Sequence, residues 1–325
     1  MVEPLKSREV QEAQSLRPVE MPRHMAGVAE LIQGVFGATL DDPGRRMLKE
    51  MRSLGRLGWL GWLAAKMLLP PAAHPGGFVW VRENRVVGNA SLMPVEGCPE
   101  RWVLANVAVY PDHRRKGIGR ALVEACVDKA RDLKSRLLIL QVKPSNSEAR
   151  ELYEKLGFSV MSTRTTWIRH KARVPVDLPD ASSVRERRAG EWMDQWGMAQ
   201  RMHPEGLIWP FPLQRNLFQP PRGGGNMPGE APRHWVWGVE DRVQASLTAK
   251  RALERAGWRL LLLVEPQACG KAELPLLTAA LTNLRAGQVS LLLDYPSGLA
   301  EAELHDCGFT VHNSLTWMFL SLDGG

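Results

Sequence analysis

The sequence predicts an α/β protein of two tandem domains, each a mixed central sheet flanked by helices. Three observations carry this expectation. Strand-like and helix-like apolar periodicities follow one another in mixed order along the chain. A length of 325 residues suits two domains rather than one. A set of landmarks also recurs in the same order in both halves.

In the first half, Ala26–Phe36 reads as a helix with Val28, Leu31, Ile32 and Val35 on one face. Gly44–Leu69 reads as one or two further helices. Phe78–Val81 and Arg85–Met93 read as strands around a turn at Glu83-Asn84, and Trp102–Val109 as a strand stopped by Pro111. A helix is expected from about Gly119 to Leu133 and an apolar strand over Leu137–Val142. A helix follows over Ser145–Leu156, with Ser145 and Glu148 as a capping box and Gly157 just beyond its end. Ser159–Ile168 returns as strand.

The repeat is read from paired landmarks. Phe78-Val-Trp-Val-Arg-Glu-Asn-Arg-Val86 resembles Trp235-Val-Trp-Gly-Val-Glu-Asp-Arg-Val243. Val109-Tyr-Pro111 matches Val264-Glu-Pro266. Leu137–Phe158 resembles Leu291–Phe309, both ending in Gly-Phe, and Thr166-Trp167 matches Thr316-Trp317. The domains are placed at 16–174 and 180–325, joined near Arg173–Asp180, where Pro175 and Pro179 break regular structure. The Gly- and Pro-rich stretch Pro220–Pro232 is a loop inside the second copy. The closing strands of the copies could each pair at home or cross to the neighbouring sheet.

Composition narrows the function classes. The cysteines Cys98, Cys126, Cys269 and Cys307 form no C-x-x-C pair, which argues against a disulfide framework or a metal site and for a reducing cytoplasm. Met1–Leu16 lacks the apolar core of a signal peptide. The apolar run Leu54–Leu69 is interrupted by Arg56 and Lys66 and is shorter than the roughly 20 residues of a membrane span. It reads as a buried or pocket-lining helix. A net charge of +7 favours anionic partners. The charges are dispersed and no nucleic-acid motif accompanies them, so neither a nucleic-acid nor a membrane partner is expected.

The strongest local signal is Val109-Tyr-Pro-Asp-His-Arg-Arg-Lys-Gly-Ile-Gly-Arg-Ala-Leu122. A strand ends, a basic loop with two glycines follows, and a helix begins. Glycines let backbone N–H groups converge, and a helix start adds unpaired donors and a positive dipole end. The combination suits a pyrophosphate.

Arg114-x-x-Gly117-x-Gly119 resembles the acetyl-CoA motif of the GNAT N-acetyltransferases, as does the flanking Asn106-Val-Ala-Val-Tyr-Pro111. Asn146-Ser-Glu-Ala-Arg-Glu-Leu-Tyr-Glu-Lys-Leu-Gly-Phe158 resembles the family's second signature. The likeness covers about residues 16–170. It implies acetyl-CoA as cosubstrate and a small-molecule or peptide amine as acceptor. It also implies that Val107, Ala108 and Val109 pair with the pantetheine arm. The N–H groups of Arg115, Lys116, Gly117, Ile118, Gly119 and Arg120 would hold the pyrophosphate, beside Arg114. Asn146 would contact the cofactor arm, with a helix cap as its other reading. Tyr153 falls at the family's acid position and would protonate the departing thiolate, with a half-buried core tyrosine as the other reading.

A general base is less plain. The strand Trp102–Val109 carries no acid, and Glu96 and Glu100 read chiefly as surface charge. Cys98 and Cys126 read as structural, because no histidine is placed to activate them. Trp59, Trp62, Trp209 and Phe211 are candidates for an apolar acceptor pocket, with core packing as their default. In the second half, Cys269, Ala272 and Leu274 stand opposite Arg114, Gly117 and Gly119, and Leu304 opposite Tyr153. That half therefore reads as a degenerate GNAT-like domain. A non-catalytic acyl-CoA-binding module and a protein N-terminal acetyltransferase are the alternative functions.

Overall fold

The computed structural model describes residues 14–20, 23–40, 42–56, 76–95, 97–170, 181–203, 206–208, 211–220, 231–239, 242–252, 257–284 and 289–323. The chain divides into two compact units, Met1–Met161 with Trp317–Gly325, and Ser162–Thr316.

The first unit begins with β1 (Gln14–Pro18), α1 (Met25–Phe36) and α2 (Asp42–Arg56). In α1, Met25, Val28, Ala29, Leu31 and Ile32 are buried, the i, i+3, i+4, i+7 stripe of an amphipathic helix. Val28, Ala29, Leu31 and Ile32 pack with Val79, Val81, Val86 and Ala108. A hairpin of β2 (Gly76–Arg82) and β3 (Arg85–Val95) turns at Glu83 and Asn84. Both turn residues have positive φ, +50° and +60°, the twist-matched geometry of a two-residue hairpin loop. Then come β4 (Cys98–Val109), α3 (Ile118–Asp132), β5 (Leu137–Val142), α4 (Ser147–Lys155) and β6 (Ser159–Arg169). Strands β1 to β4 pair antiparallel in order, and β5 joins β4 in parallel. Leu122, Val123, Cys126 and Ala130 of α3 fill the core beneath this sheet.

The second unit holds β7 (Val184–Glu186), α5 (Trp192–Met202), the short ribbon β8 (Leu207–Ile208) and β9 (Phe211–Pro212), β10 (Arg233–Val239), β11 (Arg242–Ala252), β12 (Gly257–Val264), α6 (Glu273–Asn283), β13 (Ser290–Pro296), α7 (Glu301–Asp306) and β14 (Thr310–Ser321). Strands β7, β10, β11 and β12 pair antiparallel, and β13 joins β12 in parallel. Each unit is thus a mixed sheet with helices. The paired landmarks fall on corresponding elements: the hairpins β2–β3 and β10–β11, the ends of β4 and β12, the Gly-Phe steps after α4 and α7, and the Thr-Trp steps in β6 and β14.

The compact units depart from the sequence boundaries 16–174 and 180–325. From Ser162 onward β6 belongs to the second unit, where Arg164–Arg169 pair antiparallel with β13. From Trp317 onward the chain belongs to the first unit, where Met318 enters the core and Leu322 N–H donates to the Arg136 carbonyl at 2.9 Å. The copies exchange their closing strands. Both strands run 11 or 12 residues, long enough to begin in one unit and end in the other.

Local expectations shift as well. The run Gly44–Leu69 is helix to Arg56, and its remainder, with Trp59 and Trp62, lies outside the described residues. The linker 173–180, Trp209 and the side chain of Phe211 also lie outside them, as does most of the loop 220–232. β4 begins at Cys98 rather than Trp102, because it pairs with β3 out to Val95. Among the described residues no helix is long and apolar enough to cross a membrane.

The second unit carries a buried polar network. Gln195 donates to Ser246 Oγ and Thr248 Oγ1 at 3.2 and 2.7 Å and accepts from Arg187 at 2.7 Å, while His234 Nδ1 lies 3.0 Å from Thr248 Oγ1. Burial, helped by Arg187, lowers the His234 pKa to about 3. The unfolded imidazole titrates near ~6.5. The unfolded chain therefore binds more protons between these values, and the stability contributed is complete above about 6.5 and lost as pH falls toward 3. Denaturant unfolding of the protein is expected to show this acid loss, and His234→Gln to blunt it. An equal slope in the variant would remove His234 as its source.

Candidate active site

The site starts from a mismatch in strand pairing. β4 follows β3 to Val109, opposite Gly88, but pairs with β5 only over Arg101–Leu104. Beyond Leu104 the two parallel strands separate, and the free edge of β4 faces a cleft. Tyr110 N–H donates to the Val87 carbonyl at 3.1 Å, and Ala108 stands opposite Asn89. Bonding direction alternates along an antiparallel strand. The backbone groups of Val107 and Val109 therefore point away from β3, toward the side β5 has left.

The register also jumps by one residue. Asn89 faces Ala108 while Ser91 faces Ala105, so β4 carries a bulge. Asn106, inside it, has φ +51°. A left-handed non-glycine residue within a strand costs on the order of 1–3 kcal/mol and persists only where its surroundings hold it.

The loop after β4 supplies the other wall. Arg115 has φ +57° and Gly117, the residue before α3, φ +78°. No side chain caps α3, so its leading N–H groups stay available to a ligand. A Cβ placed on Gly117 would meet no atom within 4 Å, so the space before the helix start is open. An anion fits there by both charge and room.

These elements enclose a cleft of about 710 Å³. Of the sequence-predicted residues, Val107, Ala108, Val109, Arg114, Arg115, Gly117, Gly119, Arg120, Asn146 and Tyr153 line it. Lys116 and Ile118 do not. Lys116 Nζ donates to the Asp112 carbonyl at 2.8 Å, and the Ile118 side chain is 5% exposed in the core, which leaves its backbone alone for a ligand. Arg114 Nε donates to the Val109 carbonyl at 3.1 Å, and Arg120 pairs with Glu124 at 2.8 Å. Much of the loop's basic charge is therefore engaged in local contacts.

Asn146, not Ser145, caps α4: its Oδ1 accepts from Ala149 N–H at 3.2 Å. The cap and cleft-lining readings hold together, since Nδ2 remains to donate. Tyr153 is 6% exposed, with its ring tilted against Phe158 at 5.8 Å. Burial pushes its pKa up to about 12, so the hydroxyl stays protonated through the neutral range. Cys126 is buried, its thiol also pushed up to about 12 by burial, and it reads as inert. Glu100 sits at the far end of β4, 3.8 Å from Arg101, away from the cleft. Glu96 lies outside the described residues.

Sequence reasoning missed Val35, Phe36, Glu148, Glu151, Leu152 and Lys155, which also line the cleft. Glu148, Glu151, Leu152 and Lys155 follow helical spacing, so one face of α4 could have been read as a cleft wall.

The second unit builds the same region differently. β12 and β13 pair over 257–260 and 290–293 and separate beyond. Gly270 keeps a positive φ, +76°, but Ala272 before α6 is right-handed at φ −96°. The Glu273 carboxylate, 1% exposed, accepts from Gly270 N–H at 2.8 Å and from the Tyr295 hydroxyl at 3.2 Å. The second loop thus has one of its own N–H groups satisfied by an internal carboxylate, which the buried Tyr295 holds in turn. Leu304, opposite Tyr153, is fully buried.

A parallel strand pair thus splays beside an uncapped, glycine-led helix start, and both border one cleft. Residues 49–158 match the Acetyltransferase (GNAT) family. The chain is 42% identical over 64 residues to the ribosomal protein bS18-alanine N-acetyltransferase of Escherichia coli, a match spanning 20% of this chain and 43% of that enzyme. It is 36% identical over 83 residues to a mycothiol acetyltransferase of Propionibacterium freudenreichii, covering 26% and 27% of the two chains. The chain thus spans less than half the length of these curated relatives. Its fold is that of a GCN5-related N-acetyltransferase from Sphaerobacter thermophilus, with TM-score 0.60 and 13% identity over 95% of this chain and 96% of the other.

Proposed function

We infer that the protein transfers an acetyl group from acetyl-CoA to an amine acceptor by direct attack of the neutral amine on the thioester. The observation that carries this reading is the convergence of the splayed β4 edge, the open helix start at Gly117 and Tyr153 on one cleft. The edge of β4 at Val107–Val109 would pair with the pantetheine arm as an added strand does. The backbone from Arg115 to Arg120, with Arg114 beside it, would hold the pyrophosphate, and Asn146 Nδ2 the arm. Acetyl-CoA supplies the activated acyl group. A β4 N–H stabilises the developing oxyanion, and Tyr153 donates toward the leaving sulfur.

The catalytic domain is assigned to about 16–174, and 180–325 to a degenerate GNAT-like copy without a cofactor. The free cysteines fit a reducing, cytoplasmic setting. A peptide N-terminus is the second reading of the acceptor, favoured by the likeness to the bS18-alanine enzyme.

The test is CoA thiol release from acetyl-CoA by the full chain across free amines, amino acids and peptides beginning with alanine. Amine-dependent release is expected. Tight acetyl-CoA binding with no release on any amine would replace the enzyme with a binding module.

A further inference from the structure

The bulge in β4 requires something to hold Asn106 in its left-handed conformation, and the structure shows a side chain placed to hold its carbonyl. Asn89 lies on β3 among buried apolar residues and is 0% exposed. Its Nδ2 donates to the Asn106 carbonyl at 2.9 Å and to Ser91 Oγ at 3.1 Å. Asn106 Nδ2 in turn reaches Ser91 Oγ at 3.5 Å. Asn89 Oδ1 is buried without a partner. Turning the amide over would aim Oδ1 at the Asn106 carbonyl, acceptor against acceptor, and lose the bond. A buried amide kept with one orphaned acceptor indicates that its donor is the part in use.

The peptide joining Asn106 to Val107 is planar and trans, so its C=O and N–H point in opposite directions. Holding the Asn106 carbonyl against Asn89 turns the Val107 N–H to the other side. Val107 lines the cleft there, on the edge of β4 that β5 has left. We propose that Asn89 is a positioning residue that, by gripping the Asn106 carbonyl, aims the Val107 N–H at the thioester carbonyl oxygen of the acyl donor. The proposal rests on the acetyltransferase reading of this cleft.

The test compares the full chain with Asn89→Leu, which keeps the volume and removes the donor, and with Asn89→Leu/Asn106→Gly. Glycine takes a positive φ without strain, so the second change lets the bulge form unaided. Acetyl-CoA labelled with carbon-13 at the acyl carbonyl gives an infrared band whose downward shift on binding reports polarisation by a donor. That reading needs no acceptor.

The native protein is expected to shift the band, Asn89→Leu to lose the shift, and the double variant to regain it. kcat is expected to fall by about 10²-fold, the scale of one lost oxyanion donor, with KM for acetyl-CoA little changed. Asn89→Ala, checked by circular dichroism, replaces the leucine variant should that one fail to fold. A folded variant that keeps both the band shift and kcat overturns the proposal, as does a loss that Asn106→Gly leaves unrepaired. Absence of acetyl-CoA binding to the native chain would instead remove the acetyltransferase reading itself.

Discussion

Tyr153→Phe is expected to lower kcat by about 10²–10⁴-fold, the range of a positioned general acid, while acetyl-CoA binds as before. The change removes only the hydroxyl. The ring keeps its tilted contact with Phe158, so the core around α4 persists. The expected size follows from the leaving group. A thiolate with a reference pKa of about 8.5 departs more readily when a donor meets the charge developing on sulfur. Burial holds the phenol near 12, a weaker acid than the thiol it would create. Complete proton transfer in advance of bond cleavage is therefore uphill. Tyr153 acts best by donating a hydrogen bond as charge develops on sulfur. Activity should then show no alkaline loss from tyrosine ionisation until well above neutral pH. Pre-steady-state measurement of the acyl-transfer step gives the direct reading. An unchanged chemical step in Tyr153→Phe would return the residue to core packing.

How much of this was legible in the sequence depends on how local each feature is. The turn at Glu83-Asn84, the basic loop before α3 and the Gly-Phe step after α4 are set by neighbouring residues, and each stands where expected. Ser145 and Asn146 both read as competent caps of α4 in the sequence, and only the backbone decides for Asn146. The bulge at Asn106 was not legible. Its register is set against β3, and the stabilising amide comes from Asn89, 17 residues away. The exchange of closing strands was left open for a related reason. β6 and β14 are both long, and a pattern says which face is buried, not which sheet receives it. The pair Glu273–Tyr295, 22 residues apart, likewise becomes a feature only when the fold brings α6 and β13 together.

That pair gives the physical content of the other large effect, in which Gly117→Asp abolishes acetyl-CoA binding by a folded protein. Gly117 has φ +78° with no atom within 4 Å of where a Cβ would stand, so an aspartate there meets strain but no clash. The left-handed backbone costs a non-glycine residue roughly 1–2 kcal/mol, and aspartate is among those that tolerate it best. Aspartate before a helix is also a strong N-cap, accepting from the N–H groups one turn in. Here those are the groups assigned to the pyrophosphate, so the carboxylate would both occupy the donors and repel the ligand. In the second unit, Glu273 already takes the Gly270 N–H with its own carboxylate. The substitution would thus give the first unit the self-satisfied loop of the second. Titration calorimetry of the native chain is expected to show one acetyl-CoA site per chain, and none in Gly117→Asp. Gly117→Asn, with the same shape and no charge, should retain weakened binding, which separates repulsion from occupied donors. Two equivalent sites in the native chain would show that Glu273 does not close the second loop, and native affinity in a folded Gly117→Asp would take the pyrophosphate away from α3.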